Sequence, residues 1–165
     1  MIAKHTNENP TKQCDNELSK VCKKILELDH AINRAECPKR YEIAELVCDA
    51  KNTPGKYGKN AVEKIANELS WGRSTAYAYA KIAETWSKDE YFALVKQATD
   101  SGFSLSWTHF LEVVDIEDPE VRSELLETAI ARKQSTRQLR HAVQKAKEPG
   151  KDLNPNQPAS EMGPR

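Results

Sequence analysis

The stretch ANELSWGRSTAYAYAKIAE, residues 66–84, follows one helical pattern, breaks at Ser70-Trp71-Gly72, and resumes with another. In a helix-turn-helix two helices cross steeply, so their junction is tight and their facing residues are small. Ile65 and Leu69 supply the apolar stripe of the first helix, and Ala66 is small where the second would press closest. Trp71 is available to plug a small core at the turn. Ala76 and Tyr79 begin the stripe of the second helix, and Ala80, Ile82 and Ala83 continue it.

This register puts Arg73, Ser74, Thr75, Tyr77, Ala78 and Lys81 on the outer face of the second helix. Arginine can grip guanine O6 and N7 with two donors, and serine and threonine bond phosphates or base edges. Tyr77 can donate to a phosphate, and the free N–H groups at a helix start favour a phosphate oxygen. Lys51, Lys56, Lys59 and Lys64, just upstream, add attraction that does not depend on base sequence. The candidate DNA-binding set is therefore Arg73, Ser74, Thr75, Tyr77 and Lys81, with Lys56, Lys59 and Lys64 in support. Two amphipathic helices around a glycine turn, with a merely polar first turn, would use the same residues.

Outward from this motif the chain reads as helical throughout. Leu18, Val21, Ile25, Leu28 and Ile32 predict a helix over about 16–35, its stripe suited either to packing on the core or to a dimer seam, a role the helix at 135–147 could equally take. Pro38 can open a second helix, and the turn cluster NTPGKYGKN at 52–60 follows. Helices are predicted over about 60–69 and 73–86. Ser87 or Asp89 caps another that runs through Ala98 and is closed by Asp100-Ser101-Gly102. A short helix is expected in SLSWTHFLEVV. Asp118 followed by Pro119 is an N-cap signal, and Ser135 is a second. No strand alternation is present, so the fold class is all-α. The expected organisation is a disordered arm at 1–14, an N-terminal helix at 15–37, the main domain at 38–148 and a disordered tail at 149–165.

Composition narrows the function. A chain of 165 residues with 30% charged side chains suits one domain, and its formal net charge is zero. The charge is unevenly placed. Six bases stand against Glu63 and Glu68 between Lys51 and Lys81, and seven acids against Arg122 between Glu112 and Glu127. Six bases and no acid follow between Arg132 and Lys147. Such blocks are often solvated faces, but they leave room for an anionic partner. No run of apolar residues is long enough to span a membrane, and the start lacks a signal peptide's apolar centre, so a cytosolic protein is expected. Cys14, Cys22, Cys37 and Cys48 are spaced eight, fifteen and eleven apart, which suits reduced thiols better than zinc ligands.

Nothing in the sequence has the form of a catalytic centre. His5, His30, His109 and His141 form no ligand pair at helical spacing, and no G-K-[ST] phosphate loop occurs. The expectation is a binding protein that is not an enzyme and needs no metal or cofactor.

The motif and its sequel, SGFSLSWTHF at 101–110 and QSTRQLR at 134–140, resemble the central DNA-binding domain of the ParB and KorB partition proteins. There an "IA..LG.SRS.V" helix-turn-helix precedes a "G.LS..HA..LL" segment and an "LSVRELE" end. The order agrees over about residues 38–147. The resemblance implies that Arg73, Ser74 and Thr75 start the recognition helix and that Trp107, His109 and Phe110 pack behind it. His109 is then structural. The partition family's nucleotide-binding domain has no counterpart in residues 1–37, so CTP-dependent clamping is not implied. The position where many such motifs carry glycine is Ser70.

YGKNAVEKIANELS at 57–70 and the Leu105-Ser106-Trp107 stretch are also similar to the amino-terminal helical domain of a bacterial group of PD-(D/E)XK-type nucleases. No E-x-K is present to serve that chemistry. Two functions follow. The first is sequence-specific binding of double-stranded DNA by a homodimer, in plasmid partition or transcriptional control. The alternative is a protein-docking module, in which Trp86, Trp107 and the acidic 112–127 segment matter more.

Overall fold

A computed structural model describes residues 10–30 and 36–147, which are helical with no strand among them. The helices are α1 Pro10–His30, α2 Glu36–Asn52, α3 Pro54–Tyr57, α4 Ala61–Glu68, α5 Arg73–Thr85, α6 Lys88–Asp100, α7 Trp107–Val113, α8 Pro119–Ala131 and α9 Thr136–Lys147. The all-α reading holds.

Several boundaries differ from expectation. α1 starts at Pro10, so residues 10–14 are helical and do not belong to an arm. Proline fits there because a first-turn N–H has no helical partner to lose. α2 begins two residues before Pro38 for the same reason. The turn cluster at 52–60 contains the one-turn α3, which is too short for periodicity to reveal. Ile32 and the expected tail at 149–165 lie outside the described residues.

α2 is the central helix, and its most extensive packing is against α5. Ile43, Ala44 and Val47 of α2 and Ala76, Ala80 and Ile82 of α5 are fully buried. The alanines let the two backbones come close, while the isoleucines fill the space beside them. α1 lies across α2, α3 and α4. Its stripe of Leu18, Val21, Ile25 and Leu28 is buried in this contact. The stripe considered as a dimer seam is thus spent inside the chain, because α2 and α4 offer it a complementary apolar face. α7, α8 and α9 form a second cluster, with Phe110, Leu126 and Leu139 at its centre.

Aromatic rings join the two clusters. Tyr91 of α6 lies 4.6 Å from the Tyr41 ring of α2 and 4.3 Å from Phe110 of α7. Tyr41 donates its hydroxyl to the Trp86 carbonyl at 2.7 Å, closing α2 onto the end of α5. Burial, with Glu45 nearby, pushes the Tyr41 phenol up to about 12, so it remains a donor across the physiological range.

Candidate nucleic-acid interface

α4 and α5 are joined at Leu69–Gly72 by hydrogen bonds that identify a Schellman cap. The Trp71 N–H reaches the Ala66 carbonyl at 2.8 Å, and the Ser70 N–H reaches Asn67 at 3.2 Å. Ser70 itself has φ +54°, the left-handed conformation usually given to glycine. Gly72 has φ −63° and ψ 141°, ordinary extended backbone, and stands as the N-cap of α5. The sequence therefore puts its glycine two residues past the position that bends the chain. The same cap recurs after α6, where Gly102 takes the left-handed position, and after α8, where Lys133 takes it at φ +50°.

Trp71 is half-buried, and its ring stacks on Tyr79 with 5.0 Å between centroids. Tyr79 stacks in turn on Trp107 at 4.8 Å. This ladder fixes the turn and α5 to α7, each ring pair adding about 0.5–1.5 kcal/mol beyond area burial. Arg40 of α2 donates from Nη1 to the Tyr79 hydroxyl at 2.7 Å and so locks the middle ring.

Arg73, Tyr77 and Lys81, four apart, share one side of α5. The Arg73 side chain is 72% exposed and donates from Nη2 to Glu63 Oε1 at 2.7 Å. Tyr77 donates its hydroxyl to the same oxygen at 2.7 Å, and the guanidinium lies 5.7 Å from the Tyr77 ring centroid. The Tyr77 hydroxyl, Glu63's own backbone N–H and the Arg73 charge hold the Glu63 carboxyl below its ordinary range. The Tyr77 and Glu63 contacts push the Arg73 guanidinium up. Lys81 pairs with Asp115 just after α7.

Ser74 and Thr75 are exposed and open onto a groove of about 530 Å³ between α5 and α7. Arg40, Tyr79, Thr108, Leu111 and Asp115 also line it. The groove thus combines hydroxyls, a guanidinium and a carboxylate over an aromatic floor.

The supporting lysines do not all gather here. Lys64 turns toward α1 and pairs with Asp15 at 3.2 Å. Lys56 lies 3.7 Å from Asp49 and 4.6 Å from the Tyr57 ring centroid. Lys59 is exposed in the turn before α4, with no ion pair among the described residues. The structure therefore brings together Arg73, Ser74, Thr75, Tyr77 and Lys81, and sends Lys56 and Lys64 to the α1 side.

Sequence reasoning missed Glu63, Arg40 and Asp115 as parts of this surface. Glu63 stands ten residues from Arg73 and fourteen from Tyr77, and only the crossing of α4 over α5 makes them neighbours. No local signal marks Arg40 or Asp115.

Trp107, His109 and Phe110 are buried behind α5, as the partition-protein resemblance implies. His109 Nδ1 accepts the Ser106 N–H at 3.1 Å, closing a capping box at the start of α7. That fixes the proton on Nε2, which donates to the Gln134 carbonyl at 3.0 Å. The ring is a structural tie between α7 and the α8–α9 turn. Among the described residues no group of three or more His, Cys, Asp or Glu side chains could hold a metal ion, and no helix is long and apolar enough to cross a membrane.

Comparison with curated proteins and with solved structures finds no match. Comparison with family models matches residues 18–147 to the DUF1016 N-terminal domain. The match spans α1 from Leu18 onward and every later helix, so it covers both packed clusters and the turn between α4 and α5. Of the two families the sequence resembles, it falls on the nuclease-associated one. The chain belongs to the DUF1016 N-terminal domain family, the helical domain of a nuclease-associated family.

Proposed function

We propose that the chain binds double-stranded DNA in a sequence-dependent way through α4, the Schellman turn and α5. The observation that carries this reading is the first turn of α5, where Arg73, Ser74 and Thr75 are exposed and the Arg73 and Ser74 N–H groups make no backbone hydrogen bond among the described residues. α5 would enter the major groove, with Arg73 on a guanine edge and the hydroxyls on a base edge or phosphate. Tyr77 and Lys81 continue the contact along the helix. Glu63 holds the guanidinium ready and must yield it to the base. Binding, rather than bond breaking, is the role assigned to the chain.

Two copies on a two-fold site would double the few base pairs that one helix reads, with half-sites about 10–10.5 base pairs apart or a multiple of that. Such binding would serve plasmid partition or transcriptional control, as the partition-protein resemblance implies. The test is fluorescence anisotropy with duplex DNA across a salt series. Affinity that falls steeply with salt, and falls roughly fivefold to a hundredfold further in Arg73→Ala, supports the reading. A salt-insensitive or absent signal would move the function to protein docking.

A further inference from the structure

The charges around α9 are arranged differently from those on α4 and α5. On the latter, Arg73, Lys64 and Lys81 are each paired with a carboxylate of the same chain. Around α9, Arg132, Lys133, Arg137, Lys145 and Lys147 are all exposed, and among the described residues none has an ion-pair partner. Arg140 alone is engaged, through a two-pronged contact with Glu112 of α7.

Helix-end effects account for part of this set. Lys145 and Lys147 answer the negative end of α9, and Arg132 and Lys133 that of α8. Arg137 answers neither, because it stands in the first turn of α9, where the dipole disfavours a cation.

We propose that the exposed side of α9 and the turn before it form a second DNA-binding surface, which holds the phosphate backbone of a duplex without reading its sequence. Leu139 and Val143 are buried toward α7 and α8, which turns Arg137, His141 and Lys145 outward at four-residue intervals. That interval carries the row over about 12 Å, roughly the axial rise of three phosphates on one strand.

A protein partner would have little to bury there. Among the described residues the exposed large hydrophobic side chain is Leu26, which is on α1. A polyanionic backbone needs only the charge. α7 separates α5 from α9, so the two surfaces can be altered independently.

This inference rests on the duplex-binding reading above, and the test separates the two. Wild type, Arg137→Gln/Lys145→Gln/Lys147→Gln and Arg73→Ala are titrated by anisotropy against a selected target duplex and a scrambled one at four salt concentrations. The three substituted residues are exposed and helical, and glutamine preserves the helix. The triple variant is expected to lose affinity equally for both duplexes. Its slope of log affinity against log salt becomes shallower by about 0.9 for each phosphate contact removed. Arg73→Ala instead narrows the difference between the two duplexes. An unchanged slope in the triple variant, with wild type still binding, would overturn the α9 surface and leave the recognition helix standing. Tighter capture of a poly-glutamate peptide than of the scrambled duplex would also overturn it. No duplex binding by wild type at any salt would overturn both.

Discussion

The turn between α4 and α5 makes a demand that the sequence does not satisfy, and this can be tested by exchanging two residues. Ser70 holds φ +54°, where an L-residue costs roughly 1–2 kcal/mol relative to its usual conformations. Glycine there would avoid most of that strain but would give up about 0.5–1 kcal/mol of unfolded-chain entropy. The net expectation for Ser70→Gly is about 0.5–1 kcal/mol of added stability. No hydrogen bond of the Ser70 side chain is lost, since none is formed among the described residues.

Gly72 presents the reverse case. Its φ of −63° suits any residue, and an added Cβ would meet Thr75 Oγ1 at 3.6 Å and Ser74 Oγ at 3.8 Å, ordinary contacts. As an N-cap it offers α5 no side-chain acceptor, and Gly72→Ser supplies one for a few tenths of a kcal/mol. The exchanged sequence Gly-Trp-Ser should therefore be more stable by about 1 kcal/mol. With an unfolding entropy of about 2.1 cal/mol/K per residue, that raises Tm by roughly 3–4 °C for a domain of this size. Thermal melts followed by circular dichroism at 222 nm, on both single variants and the exchange, measure it. If Ser70→Gly is neutral or destabilising, the left-handed turn is not what links the two helices.

Other expectations follow from the same geometry. Glu63→Gln removes the carboxylate that occupies Arg73 and repels phosphate, so duplex affinity should rise a few-fold with a steeper salt dependence, read by anisotropy. Because the Glu63 pKa is lowered on folding, its interactions contribute stability above the unfolded carboxyl value and lose it as pH falls through the folded one. Carboxyl titration by NMR should find Glu63 below the ordinary glutamate range, and Tyr77→Phe should raise it. His109→Ala deletes the ties to Ser106 and Gln134 and leaves a void among buried rings. Denaturant unfolding should report a loss of about 2–4 kcal/mol, and a loss under 1 kcal/mol would contradict its role as the α7 anchor.

Helices with local start signals were legible in the sequence. Asp118 accepts the Glu120 N–H at 2.9 Å, and Ser87 forms its capping box with Glu90, because caps depend on residues only two or three apart. Where tertiary contacts decide, the sequence leaves the choice open. The α1 stripe suits a dimer seam as well as a core, and only the positions of α2 and α4 choose between them. Lys64 and Arg73 look alike in a count of charges, yet one turns to α1 and the other stays on α5. Ser70 stands where such motifs usually carry glycine, but its left-handed backbone follows from the 66–71 hydrogen bond, and no residue type announces that bond.

The most direct test of the central claim is selection of random duplex DNA on the purified chain, with Arg73→Ala in parallel, followed by sequencing. Wild type is expected to recover a recurring motif, arranged with two-fold symmetry, with at least one guanine position relaxed in the variant. The same motif from both proteins, or enrichment from neither at low and moderate salt, would contradict it.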